Sequence, residues 1–100
     1  MVIKPVKEFI YSLDEATFAK ILRNIELLEK FGAMLKMPHC KKINKELYEL
    51  RIRGRREVRI LCVFIKGGIS LPHGFVKKSD KIPLKDIELA LLRLRDLTGQ

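Results

Sequence analysis

The apolar positions along the chain change period twice. Residues 5–13 place Val6, Phe9, Ile10 and Leu13 at i, i+3, i+4 and i+7, which is one face of a helix. Pro5 suits the first turn, because its fixed φ is helical and its missing N–H is not needed there. Ser12 and Glu15 have the spacing of a capping box. Phe18, Ile21, Leu22, Ile25 and Leu28 then form a second apolar stripe, and Gly32 can adopt the positive φ that ends a helix. The pattern predicts a helical hairpin over residues 5–31.

Residues 33–46 read as a loop, with Pro38 and Asn44 as turn formers. From Leu47 to Arg53 the period becomes two. Tyr48, Leu50 and Ile52 point one way; Glu49, Arg51 and Arg53 point the other. Gly54-Arg55 makes a short turn into a second strand, Arg56–Ile65. That strand is rich in β-branched residues and apolar on both faces beyond Arg59, as a central strand is. Gly67-Gly68 signals a hairpin. Ile69–Val76 follows as a third strand, in which Pro72 requires an edge or a bulge. Pro83 opens a last helix, with Leu84, Ile87, Leu91 and Leu94 on one stripe and an end near Gly99. The expected fold is α+β over one domain, residues 1–100: an N-terminal helical hairpin, a three-stranded antiparallel sheet and a C-terminal helix. The helices should cover Tyr48, Leu50 and Ile52, leaving Arg51, Arg53 and Arg59 exposed on the opposite face.

Charge sharpens this picture. The 100 residues hold 21 Lys and Arg against 12 Asp and Glu, a net +9. Residues 41–59 carry eight basic and three acidic side chains, and residues 60–82 four and one, so +8 lies between Lys41 and Lys81. Concentrated positive charge attracts a polyanion and releases its counterions, which points to nucleic acid. Other classes recede. The longest apolar run, Ile60–Ile65, is too short to span a bilayer. Lys4, Lys7 and Glu8 interrupt any signal-peptide core, so a cytoplasmic protein is expected. Cys40 and Cys62 make no disulfide framework. His39-Cys40, Cys62 and His73 lack zinc-motif spacing, so neither metal nor cofactor is expected. No phosphate-binding glycine loop and no activated Ser or Cys nucleophile is present. Cys62 and Tyr48 read as core residues, and His39 as a polar loop residue.

A basic set remains. Arg51 and Arg53 sit about 7 Å apart on one sheet face. The Gly54 turn returns Arg59 beside them, and the next strand brings His73, Lys77 and Lys78. Arginine forks match phosphate oxygens, and histidine moves protons near neutral pH. Such a set suits metal-free RNA cleavage. The 2′-OH needs a base, the phosphorane needs positive charge, and the leaving oxygen needs an acid. A lysine serves as base only where crowded positive charge lowers its pKa. Arg51, Arg59, His73, Lys77 and Lys78 are the candidates for chemistry. Lys41, Lys42, Arg53, Arg55 and Arg56 are candidates for positioning RNA through its phosphates.

Four blocks carry a family resemblance: Pro5-Val6-Lys7-Glu8-Phe9, Met37-Pro38-His39-Cys40-Lys41-Lys42, Leu47-Tyr48-Glu49-Leu50-Arg51 and His73-Gly74-Phe75-Val76-Lys77-Lys78. Together they resemble the phage-derived, HigB-like branch of the RelE/ParE toxin superfamily. The resemblance implies a small toxin encoded beside a helix-turn-helix, HigA-like antitoxin. RelE and HigB relatives cut mRNA on the ribosome without a metal; ParE relatives inhibit DNA gyrase. Arg59 matches the strand arginine that contacts the scissile phosphate. Arg51 falls where RelE has a catalytic lysine, and Lys77 or Lys78 near a later catalytic arginine. Arginine is a poor base, so proton transfer would pass to His73 or a lysine. Relatives also begin with a strand before the Pro-Val-Lys-Glu-Phe block, where this sequence has four residues. A missing strand would expose a sheet edge for partner pairing or a homodimer. The expected function is a ribosome-dependent mRNA endonuclease. The alternatives are a ParE-like gyrase inhibitor and a non-catalytic nucleic-acid-binding remnant. An acidic, partly disordered antitoxin segment should cover the basic face.

Overall fold

Proline and two short polar side chains set the N-terminal helices. In the computed structural model, which describes residues 3–66, 68–79 and 81–98, α1 runs Lys4–Tyr11 with Pro5 in its first turn. Helix α2 runs Glu15–Phe31. The cap between them differs from the capping box expected of Ser12 and Glu15. Ser12 closes the end of α1, its Oγ donating to the Phe9 carbonyl at 2.6 Å. Asp14 caps α2, accepting from the Thr17 N–H at 3.1 Å and the Thr17 hydroxyl at 2.8 Å. A carboxylate there satisfies a free amide and also meets the positive end of the helix dipole. These two bonds hold the Asp14 carboxyl below its ordinary value. Gly32, at φ 57°, ends α2 as expected and opens a short 3-10 turn, Gly32–Met34.

The sheet has four antiparallel strands, one more than the sequence pattern predicts: β1 Cys40–Lys42, β2 Tyr48–Ile52, β3 Val58–Ile65 and β4 Gly68–Val76, in that spatial order. Strand β1 lies inside the stretch read as loop. Three residues are too few to display a period, and the pairing partners supply the strand: Cys40 opposes Leu50 and Lys42 opposes Tyr48. The Asn44 side chain shapes the connection by accepting from the Glu46 and Leu47 amides, both at 2.9 Å. On β4, Leu71 and Pro72 together face Cys62 alone, because Leu61 pairs with His73 and Val63 with Ser70. Pro72 therefore sits in a bulge on an edge strand, where its missing N–H breaks no ladder. Its carbonyl accepts from Arg93 at 3.2 Å. Among the described residues no strand precedes α1.

Both faces of the sheet are covered. Leu50, Ile52, Val58, Ile60, Cys62 and Leu71 pack under Val6, Ile10, Ile21 and Leu28 of the helical hairpin. Helix α3, Leu84–Thr98, closes the opposite face, where Leu47, Leu61 and Val63 meet Ala90. The expectation of an exposed second face is thus corrected. The apolar residues beyond Arg59 that made β3 central need a second layer, and α3 is that layer. Arg59 lies beneath it, with its side chain only 1% exposed. No helix among the described residues is long and apolar enough to cross a membrane.

Gly74 lets α1 close on β4. A Cβ there would lie 2.9 Å from the Phe9 ring. Gly74→Ala should therefore lower stability by about 1–3 kcal/mol in urea unfolding, and by much less in a Phe9→Ala background. Equal costs in the two backgrounds would refute the contact. The lowered Asp14 pKa makes a second forecast. Its contribution is complete above the unfolded value and disappears as pH falls through the folded one. The melting-temperature gap between the wild type and Asp14→Ala should narrow as pH drops below 3.8; a constant gap would contradict it.

Candidate functional site

Strand register sets the chemistry of the α3-facing side. Arg51 opposes Arg59, and Arg59 opposes Phe75, forming one row across β2, β3 and β4. The next row is Glu49, Leu61 and His73. Two arginines directly opposite repel each other. Glu49 relieves this, its two oxygens lying 3.6 Å from Arg51 Nε and 3.7 Å from Arg59 Nε. Arg59 also donates to the Glu57 carboxylate at 3.0 Å and to the Val58 carbonyl at 3.1 Å. That guanidinium holds the Glu57 carboxyl below its usual range. Neither Nε is within hydrogen-bonding distance of an acceptor, which leaves two buried donors unsatisfied. Arg59, expected as an exposed phosphate contact, is instead the buried centre of an ion network.

His73 is equally engaged. Its Nδ1 lies 3.1 Å from an Arg93 guanidinium nitrogen, and its Nε2 lies 2.6 Å from Asp86 Oδ1. A guanidinium only donates, so Nδ1 accepts and Nε2 carries the proton toward Asp86. The ring also stacks on Phe75, centroids 5.6 Å apart. Both nitrogens thus fasten α3 to β4. In this structure His73 has no ring nitrogen free to move a substrate proton.

The open part of the site is a cleft of about 300 Å³ beside this network. Lys41, Arg51, Lys77 and Lys81 line it, with Glu49 and Phe75. It brings together three residues expected from the sequence: Lys41, Arg51 and Lys77. A second hollow, about 630 Å³, shares Phe75, Lys77 and Lys81 and adds Arg56, Lys78 and Lys85. A third, about 480 Å³, lies on the other side of Arg51, with Arg53, Lys20, Arg23 and His39. Lys20 donates to the Arg53 carbonyl at 3.0 Å and so joins α2 to the β2–β3 turn. Arg55 is exposed in that turn and lines none of these three hollows. Lys42 lies apart, over the Tyr48 ring at 5.9 Å.

The sequence reading omitted Glu49, Phe75, Lys81 and Lys85, and Lys20 and Arg23 on α2. Glu49 and Phe75 were within reach, since strand alternation puts them beside Arg51 and Arg59. The lysines come from other elements, and only the folded chain delivers them. Among the described residues, none of the lysines or Arg53 around these hollows lies within ion-pairing distance of a carboxylate. The positive field, offset in part by Glu49 and Asp86 in the linings, suits a polyanion. No group of His, Cys, Asp and Glu side chains among the described residues is arranged to hold a metal ion. Cys62 belongs to the core, where its contact with Cys40 and its burial push the thiol up, away from reactivity.

A family model, described as phage-derived protein Gp49-like (DUF891), matches residues 8–95. No curated protein matches the chain.

Removing one partner from a buried ion network strands the others. Arg59→Ala should cost about 3–5 kcal/mol in urea unfolding, whereas Arg55→Ala should stay within about 0.5 kcal/mol of the wild type. An Arg59→Ala protein as stable as Arg55→Ala would show that the network is not structural.

Proposed function

The chain belongs to the Gp49-like family of phage-derived proteins, within the RelE/HigB-like toxin superfamily, and on that premise we propose that it is a toxin that cuts mRNA on the ribosome without a metal. The observation that carries this reading is the cleft in which Lys41, Arg51, Lys77 and Lys81 surround Glu49. A phosphodiester seated there meets guanidinium and ammonium groups that stabilise a phosphorane. Glu49 is the one carboxylate among the described residues that line this cleft, and it accepts the proton of the 2′-OH. The 2′-oxygen bonds to phosphorus, and the bond to the 5′-oxygen breaks. Lys77 or Lys81 protonates the leaving oxygen, giving a 2′,3′-cyclic phosphate and a 5′-hydroxyl. Arg59 acts through Glu49, as a positioning residue. Arg53, Arg56 and Lys78 hold flanking phosphates in the adjoining hollows. A helix-turn-helix antitoxin with an acidic segment would neutralise the same surface.

A second reading keeps the charge and drops the cleavage: a protein that binds a topoisomerase or nucleic acid without cutting. What favours it is the engagement of Arg59 and His73, two groups a nuclease of this superfamily was expected to use.

Primer extension on translating ribosomes separates the two. With purified wild-type protein, mRNA should be cut on the ribosome and left intact when naked. Glu49→Gln should slow cutting by about 10²–10⁴-fold and Arg51→Ala by about 10²–10³-fold, in proteins that still melt cooperatively. Growth arrest with uncut mRNA and altered plasmid supercoiling would overturn the nuclease reading in favour of the second.

A further inference from the structure

Phe75 occupies an unusual place in this surface. Its ring lines both the 300 Å³ cleft and the 630 Å³ hollow and is the only aromatic shared by the two. It is half-buried rather than covered. One side of it is held by His73, with the ring planes 22° apart. His73 is itself fixed by Asp86 and Arg93. The ring therefore has a fixed neighbour in His73, packs at its base on the Leu61 and Val63 cluster, and still borders both hollows. Cations lie on both flanks: Lys41 and Arg51 toward the cleft, and Arg56, Lys78 and Lys85 toward the hollow. Lys77 and Lys81 border both.

Single-stranded RNA repeats the same sequence of groups, with a base between successive phosphates. An aromatic ring flanked by cations matches one nucleotide and the phosphate on each side of it. A duplex hides its base faces and cannot use such a ring. We propose that Phe75 is a stacking platform for one unpaired base of the RNA strand, next to the phosphate seated at Arg51. The proposal rests on the RNA reading above and adds the subsite that holds the neighbouring nucleotide. Stacking tolerates any base, so the platform contributes affinity and register more than base identity. The second hollow, with the Phe9 ring in its wall, accommodates the base that leaves the stack.

The test measures binding of the intact protein to a short 2′-O-methyl oligoribonucleotide, which 2′-OH attack cannot cut, by fluorescence anisotropy at several salt concentrations. Phe75→Leu keeps apolar volume over Leu61 and Val63 but loses the π face. It should weaken binding about 5- to 150-fold, with the slope of log affinity against log salt unchanged, because no phosphate contact is lost. Phe75→Tyr should bind like the wild type. A substrate-side arm is independent of variant folding. Moving one abasic residue along the oligomer should weaken wild-type binding at a single position by the same factor, and Phe75→Leu binding at none. Equal affinity of wild type and Phe75→Leu, or equal abasic penalties in both, would overturn the platform alone. Wild-type protein that does not bind the oligomer, or binds it without salt dependence, would also overturn the platform, and the RNA reading falls with it only if mRNA on translating ribosomes is left uncut as well.

Discussion

A buried carboxylate held between two guanidinium groups governs this side of the molecule. Arg59 stands in the central strand under α3, where an unpaired charge would be prohibitive. Glu49 and Glu57 supply the opposite charge, and Arg51 shares Glu49 from the adjacent strand. This arrangement penalises register errors. A one-residue slip of β2 would turn Glu49 and Arg51 toward the helical hairpin and leave Arg59 facing α3 with Glu57 but without Glu49. The same constraint makes Glu49 both a structural counter-ion and a wall of the cationic cleft. Fold and site are thus one set of contacts, and disturbing Arg59 disturbs both.

The second constraint is the attachment of α3. His73, Asp86 and Arg93 form a hydrogen-bonded bridge from β4 to the helix, and Arg93 also donates to the Pro72 carbonyl at the sheet edge. One cluster thereby holds a carbonyl of the edge strand, fixes the helix that contributes Ile87 to the cleft and supports the Phe75 ring. Family membership does not by itself explain the scaffold or its positive face. Nor does it assign the groups that act, because fold and function separate readily. Here the assignment rests on which side chains line the cleft. Lys41, Lys77 and Lys81 line it with no carboxylate among the described residues within ion-pairing distance, and Glu49 and Arg51 line it as a pair, whereas Arg59 and His73 do not line it.

Much of the architecture was legible in the sequence where a period ran long enough to be read. The two N-terminal helices, the three longer strands, the bulge at Pro72 and the last helix all follow from spacing and punctuation. Strand β1 did not, because Cys40–Lys42 is shorter than any readable alternation and exists through its partners. The cap at Asp14 was missed because Ser12 fits the same motif, and only the end of α1 decides between them. The burial of Arg59 was missed for a different reason. Arginine in a strand reads as exposed until a covering helix and a cross-strand carboxylate are known. The continuous apolar pattern of Leu61 and Val63 was the available sign that a second layer must exist. Lys41, Arg51 and Lys77 were anticipated as members of one basic site. Lys81, Lys85, Lys20 and Arg23 were not, because no sequence interval relates them to that site.

The most direct test of the account is cleavage of ribosome-bound mRNA carrying a single 2′-deoxynucleotide immediately 5′ to the mapped cut. Attack by the neighbouring 2′-oxygen requires that hydroxyl. The account predicts that cutting at the substituted position disappears, while the unsubstituted message yields a 2′,3′-cyclic phosphate and a 5′-hydroxyl. Undiminished cutting at the 2′-deoxy position, or products ending in a 3′-hydroxyl and a 5′-phosphate, would contradict it.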